Sequence, residues 1–222
     1  MPEAALLFDL DGTMLISDPI HVAVVRDMSA PRGINVTDAF YERHVHGRLN
    51  VDFFAEFLPD EPDPQALSEA KEAEFRNRLP RPYPAMPGLH ALIAQAQAKG
   101  WGLAVVTNAM RLNALAMLEA IGLEGTFDTI VIGEECTRAK PDPEPYHEAM
   151  RQLGVRPTRA IAFEDSPSGM RAAQRSGAWP VGIRSSLNDA RLREAGARAT
   201  IQDYTDTALP GILARLEGET PT

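Results

Sequence analysis

Four short apolar runs, at 103–106, 129–132, 160–163 and 180–183, follow one another with room for a helix or a long connection between them; a fifth, Ala4-Ala5-Leu6-Leu7-Phe8, opens the chain. Runs this brief and this uniformly apolar suit strands buried on both faces, as in parallel sheets. The intervening segments carry helix punctuation. One helical pattern covers 111–121 and stops at Gly122; another has Asp142 as N-cap, Pro143 in its first turn and Gly154 beyond its end; a third opens at Ser166-Pro167 and closes at Gly177. The alternation predicts an α/β fold built on a doubly wound parallel sheet.

Residues 17–84 break that rhythm. Helical patterns over 19–30, 38–46, 51–58 and 64–79 succeed one another with no strand between, and Pro80, Pro82, Pro84 and Pro87 stiffen the return. The expected organisation is a core of residues 1–16 and 85–222 with an all-helical cap, 17–84, inserted after the first strand. Such an insertion would sit above the carboxyl edge of that strand.

The chain has 222 residues, one cysteine (Cys136) and a formal net charge of −9. A lone cysteine forms no internal disulfide and fits a reducing compartment. No apolar stretch is long enough to span a bilayer, and no basic leader precedes the first strand, so a cytosolic location is expected. The acidic balance argues against nucleic acid or an anionic membrane as partner. An anionic substrate would then need positive charge supplied locally, since salt screens the wider field over about 10 Å.

Asp9-Leu10-Asp11-Gly12-Thr13 places two carboxylates at i and i+2, directly after a buried strand and before a glycine able to turn the chain. In open α/β sheets the carboxyl ends of strands are where ligands bind. One such acid can attack phosphorus and the other can shuttle a proton. This pentad resembles the first motif of the haloacid dehalogenase superfamily. Val105-Val106-Thr107-Asn108 resembles its second motif, Lys140 in Arg138-Ala139-Lys140-Pro141-Asp142-Pro143 its third, and Phe163-Glu164-Asp165-Ser166-Pro167-Ser168-Gly169 its fourth. The resemblance implies Asp9 as nucleophile and Asp11 as acid–base. It gives Thr107, Asn108 and Lys140 the phosphate, although Thr107 equally suits a cap of the next helix. Mg²⁺ would be held by Asp9, the Asp11 carbonyl and Asp165, with Glu164 binding directly or through water. Asp11 and the Glu164-Asp165 pair are wrong for a carbon-attacking dehalogenase.

The inserted helices resemble the cap of the β-phosphoglucomutase-like subfamily. Ser17-Asp18-Pro19-Ile20-His21 is similar to its usual Ser-Glu-Pro-Leu-His, although Ile16 stands where an aspartate is common, and the resemblance marks His21 as a partner of the acid–base group or a buried cap histidine. The His46-Gly47-Arg48 turn corresponds to its specificity loop, and Lys71, four residues before Phe75, to a lysine of the last cap helix; Arg48 and Lys71 are either anion contacts or solvated charges. Where the mutases carry an arginine for a second phosphate, this chain has Asn50. The expected function is therefore a Mg²⁺-dependent phosphatase for a small sugar, polyol or hydroxyacid phosphate, working as a monomer. A phosphosugar isomerase on the same scaffold is the alternative, and a non-catalytic phosphometabolite sensor a remoter one.

Overall fold

The computed structural model describes residues 2–45, 48 and 50–217, apart from the side chain of Glu42. The His46-Gly47 part of the expected specificity turn lies outside the described residues. Two compact units emerge, one of 1–16 with 81–222 and one of 17–80.

In the first unit six strands form one parallel sheet: β1 (Ala5–Phe8), β2 (Gly102–Thr107), β3 (Thr129–Ile132), β4 (Ala160–Glu164), β5 (Trp179–Ile183) and β6 (Ala199–Ile201), in the spatial order β3-β2-β1-β4-β5-β6. The doubly wound parallel sheet expected from the apolar runs is present. β1 is buried along its whole length because it has neighbours on both sides. The strand order reverses between β1 and β4, the switch point at which such sheets open a crevice.

Among its described residues this unit has six α-helices: α5 (Leu89–Ala98), α6 (Arg111–Ala120), α7 (Glu144–Leu153), α8 (Pro167–Ser176), α9 (Asp189–Glu194) and α10 (Leu209–Leu213). Tyr146, Ala149, Met150 and Leu153 of α7, with Ala172 and Ala173 of α8, pack on Ala5, Leu7, Ala104, Val106 and Ala162 of the sheet. The small residues among them let the helices lie close to the strands. α7 begins at Glu144 rather than Pro143; Asp142 still receives the Glu144 N–H through Oδ1 at 3.0 Å.

The second unit holds α1 (Asp18–Ser29), α2 (Asp38–His44), α3 (Asn50–Phe57) and α4 (Pro64–Arg78), and no strand among its described residues. Val25, Val36, Tyr41, Phe53, Phe54, Leu58 and Leu67 make its own apolar core. Thr37 caps α2 and Asp63 caps α4, each accepting an N–H through its side chain. Residues 81–84, read from sequence as the tail of the helical segment, group instead with the sheet. The Tyr83 N–H donates to Ala120 O and its hydroxyl to Ile16 O, both at 2.7 Å, and Arg81 pairs with Glu119 at 3.0 Å. No described helix is long and apolar enough to cross a membrane.

Candidate active site

Sheet register assembles the acids. Phe8 pairs with Phe163, so Asp9 and Glu164 follow side by side at the switch point, and the Asp9 N–H donates to Phe163 O at 3.0 Å. Phe8 also pairs with Val105, which places the end of β2, and with it Thr107, on the other flank. The loop after β3 then delivers Lys140 to the same spot.

Lys140 is the hub. Its Nζ donates to Asp9 Oδ1 at 2.7 Å, to Glu164 Oε1 at 2.6 Å and to Val106 O at 2.6 Å. The side chains of Lys140 and Glu164 are 3% and 0% exposed, that of Asp9 12%. Burial by itself would strip the lysine of its proton, but Asp9 and Glu164 outweigh it and raise its pKa, so the ammonium persists. Burial pushes the Asp9 carboxyl well above the ordinary range against the pull of Lys140, and Glu164 and Asp165 push it further. Glu164 is held by more than the lysine. The Tyr146 hydroxyl donates to Oε1 at 2.9 Å and the Ser166 hydroxyl to Oε2 at 3.2 Å. Tyr146 is wholly buried, and burial followed by the Glu164 charge raises its pKa well above normal, which keeps the phenol a donor.

Asp165 packs against the turn after β1. Gly12 has φ +73°, and a Cβ there would collide with Asp165 Oδ2, so only glycine lets that carboxylate approach. Ser185 and Ser186, beyond β5, donate to Oδ2 at 3.3 and 3.1 Å. Each of Asp9, Glu164 and Asp165 offers an oxygen within 4.8 Å of the others. Three buried carboxylates face a single ammonium, all through hard oxygen donors. That donor set suits a hard divalent cation, which would balance the excess negative charge.

Thr107 is 2% exposed, and its hydroxyl accepts the Ala109 N–H at 3.0 Å. It does not cap the following helix, whose N-cap is Met110. Asn108 donates through Nδ2 to Lys140 O at 3.2 Å and its Oδ1 accepts the Lys140 N–H at 3.3 Å, over Gly133, where a Cβ would strike Oδ1. The amide thus clamps the lysine's main chain, and what Asn108 can offer an anion is its own backbone N–H.

In the helical unit His21, Asn50 and Lys71 come together around Glu72, a residue the sequence reading passed over. Lys71 Nζ lies 2.8 Å from both His21 Nδ1 and Glu72 Oε1, and Asn50 Nδ2 donates to the same Oε1. Lys71 and Glu72 are 4% and 7% exposed, so Lys71 is no solvated helical charge. The His21 ring thus meets Lys71 through Nδ1. The ring stacks on Phe75 at 3.9 Å. Arg48 pairs instead with Glu56 at 2.5 Å. Tyr146, Ser185, Ser186 and Glu72 were all missed. Only Glu72, adjacent to Lys71, left a local signal, a paired charge on a helix.

The profile of the family described as haloacid dehalogenase-like hydrolase matches residues 6–183. A phosphorylated carbohydrates phosphatase of Thermotoga maritima is 29% identical over 202 residues, 89% of this chain and 94% of that protein. A validoxylamine A 7'-phosphate phosphatase of Streptomyces hygroscopicus subsp. limoneus is 31% identical, over 93% of this chain and 96% of that one. Among solved structures, a HAD hydrolase, family IA, variant 3 from Entamoeba histolytica superposes with a TM-score of 0.85 at 24% identity. It covers 96% of this chain and 99% of its own, and carries the fold alone.

Proposed function

The chain belongs to the haloacid dehalogenase-like hydrolases and is a phosphatase among them, and we propose that it hydrolyses a small sugar, polyol or hydroxyacid phosphate through an aspartyl phosphate on Asp9. The observation that carries this reading is the pairing of the buried Lys140 ammonium with Asp9 and Glu164 at the sheet's switch point, with Asp165 offering a third carboxylate oxygen within 4.8 Å of theirs.

Asp9 attacks phosphorus in line; its oxygen–phosphorus bond forms as the bond to the leaving oxygen breaks. Asp11 protonates that leaving oxygen, then takes a proton from the water that cleaves the acyl phosphate. Thr107 and the Asn108 N–H hold phosphoryl oxygens, and Lys140 offsets charge on the nucleophile and the phosphoryl group. Mg²⁺ suits the oxygen-only donor set; Asp9, the Asp11 carbonyl and Asp165 would hold it, with Glu164 directly or through water. When bound, it supplies positive charge that steadies developing oxyanions. Substrate choice is assigned to the helical unit, whose His21–Lys71–Glu72–Asn50 cluster offers donors and acceptors suited to hydroxyl groups. Asn50 is neutral and tied to Glu72, so it offers no charge to a second phosphate, and this favours hydrolysis over the isomerase alternative.

A panel of phosphomonoesters assayed for phosphate release, with Mg²⁺ and with chelator, tests the reading. Metal-dependent release from sugar or polyol phosphates is expected, and Asp9→Asn abolishes it while the protein stays folded and still binds phosphate. Full turnover by Asp9→Asn would refute the covalent route. Appearance of hexose 6-phosphate from hexose 1-phosphate, with no free phosphate, would instead favour the isomerase.

A further inference from the structure

The turn that carries Asp11 is tied down from a distance. Within it, the Gly12 N–H donates to Leu15 O and the Met14 N–H to Leu10 O, both at 2.8 Å. Two remote segments complete the hold. The Met86 N–H reaches Met14 O at 2.7 Å, and the Tyr204 hydroxyl, from the segment after β6, reaches Thr13 O at 3.2 Å. The two segments are joined to each other, since the Tyr204 N–H donates to Pro87 O at 3.0 Å. Gly88 makes that junction possible: at φ +79° its Cβ would fall 2.7 Å from the Tyr204 carbonyl carbon. The result is a closed bracket of hydrogen bonds from residue 13 through 204 and 87–86 back to residue 14.

The ring of Tyr204 is 5% exposed and lies edge-on to Phe8 at 6.0 Å and to Phe163 at 5.3 Å, the residues just before Asp9 and Glu164. Thr13 gains no anchor from its own hydroxyl, which is buried without a partner. Its main chain is therefore where this residue is gripped, locally by the N–H donating to Leu10 O at 3.2 Å and from a distance by the carbonyl accepting from Tyr204.

We propose that Tyr204 is a positioning residue for the acid–base step: its hydroxyl fixes the Gly12-Thr13 turn, and so the place from which Asp11 meets the leaving oxygen. The claim rests on the assignment of Asp11 above, and a comparison of leaving groups separates the two. An alkoxide needs a proton as it departs; p-nitrophenolate leaves without one. In kcat/KM, which stops at the first irreversible step, a displaced acid slows an alkyl ester selectively.

The experiment measures kcat/KM for fructose 1-phosphate, or the best alkyl phosphate of the panel, and for p-nitrophenyl phosphate, in wild type, Asp11→Asn and Tyr204→Phe. Phenylalanine keeps the ring contacts and removes only the hydroxyl. Tyr204→Phe is expected to lose about fivefold on the alkyl ester, the worth of one hydrogen bond, and less than about twofold on the aryl ester. Gly88→Ala, which displaces the same bracket without touching the phenol, should show the same ratio and decides the matter if Tyr204→Phe does not fold. Equal losses on both esters, or none, would overturn the proposal and leave Tyr204 a packing residue. If Asp11→Asn itself shows no preference between the esters, the acid–base assignment fails rather than the bracket.

Discussion

Replacing Lys140 by methionine keeps most of the side chain's length and volume while removing the ammonium that three acceptors share. Nζ sits 2.7 Å from Asp9 Oδ1 and 2.6 Å from Glu164 Oε1, with the lysine 3% exposed and the glutamate fully buried. Breaking a buried pair by deleting one partner costs about 3–5 kcal/mol, because the remaining charge is neither solvated nor matched. At roughly 2–4 °C per kcal/mol for a chain of this size, the melting temperature should fall by about 6–20 °C in chelator at neutral pH. The pH dependence has a definite sign. Burial opposes Lys140's charge, but Asp9 and Glu164 outweigh it and raise its pKa. Its contribution is therefore complete below the unfolded lysine value and is lost only as pH rises through the higher folded one. Burial raises the pKa of Asp9, so its ionisation costs stability as pH rises from the unfolded carboxyl value to the folded one, and that cost is constant above it. The deficit of Lys140→Met should thus shrink as pH falls from neutrality toward the unfolded carboxyl value. Denaturation followed by Trp101 and Trp179 fluorescence measures it, and Lys140→Met/Glu164→Gln closes a mutant cycle. The glutamine side chain still accepts from Tyr146 but carries no charge, so the double variant should recover at least about 1 kcal/mol. A loss below about 1 kcal/mol for Lys140→Met, or strict additivity in the cycle, would show that the ammonium does not neutralise these acids.

Gly12→Ala should weaken Mg²⁺ binding by at least about tenfold in calorimetric titration, because the methyl group displaces Asp165 and strains a turn at φ +73°. Glu72→Ala leaves the buried Lys71 ammonium without its carboxylate partner; it should destabilise the helical unit by about 3 kcal/mol, read as earlier loss of helix by circular dichroism, with Glu72→Gln losing less because it still accepts.

The acids of the site were legible because they are local. Each lies at the end of an apolar run, and a run that short and that apolar is read as a buried strand whose exit is a carboxyl edge. α5 gave no such sign: its N-cap is Gly88 in a left-handed conformation, with no side-chain cap to announce a start. β6 spans three residues, too short for a periodicity to declare itself. Tyr146, Ser186 and Tyr204 join the site through contacts with Glu164, Asp165 and Thr13, at separations no local pattern encodes. Asn108 shows a subtler limit. Its position in the chain was readable, but the direction of its amide depends on where the loop bearing Lys140 returns.

The net charge of −9 posed a difficulty for any phosphate-handling enzyme, and the site sharpens it. Asp9, Glu164 and Asp165 cluster where one ammonium pairs with the first two, and all three hydrogen bonds of that ammonium go to protein oxygens. A phosphomonoester dianion approaching such a cluster gains little from Lys140 alone, since the carboxylates already consume its field. The same three carboxylates, however, supply what a hard cation needs, and a divalent cation bound there would offset the negative charge that Lys140 leaves unbalanced. Affinity for phosphate should therefore rise and fall with occupancy of the carboxylate cluster by a divalent cation.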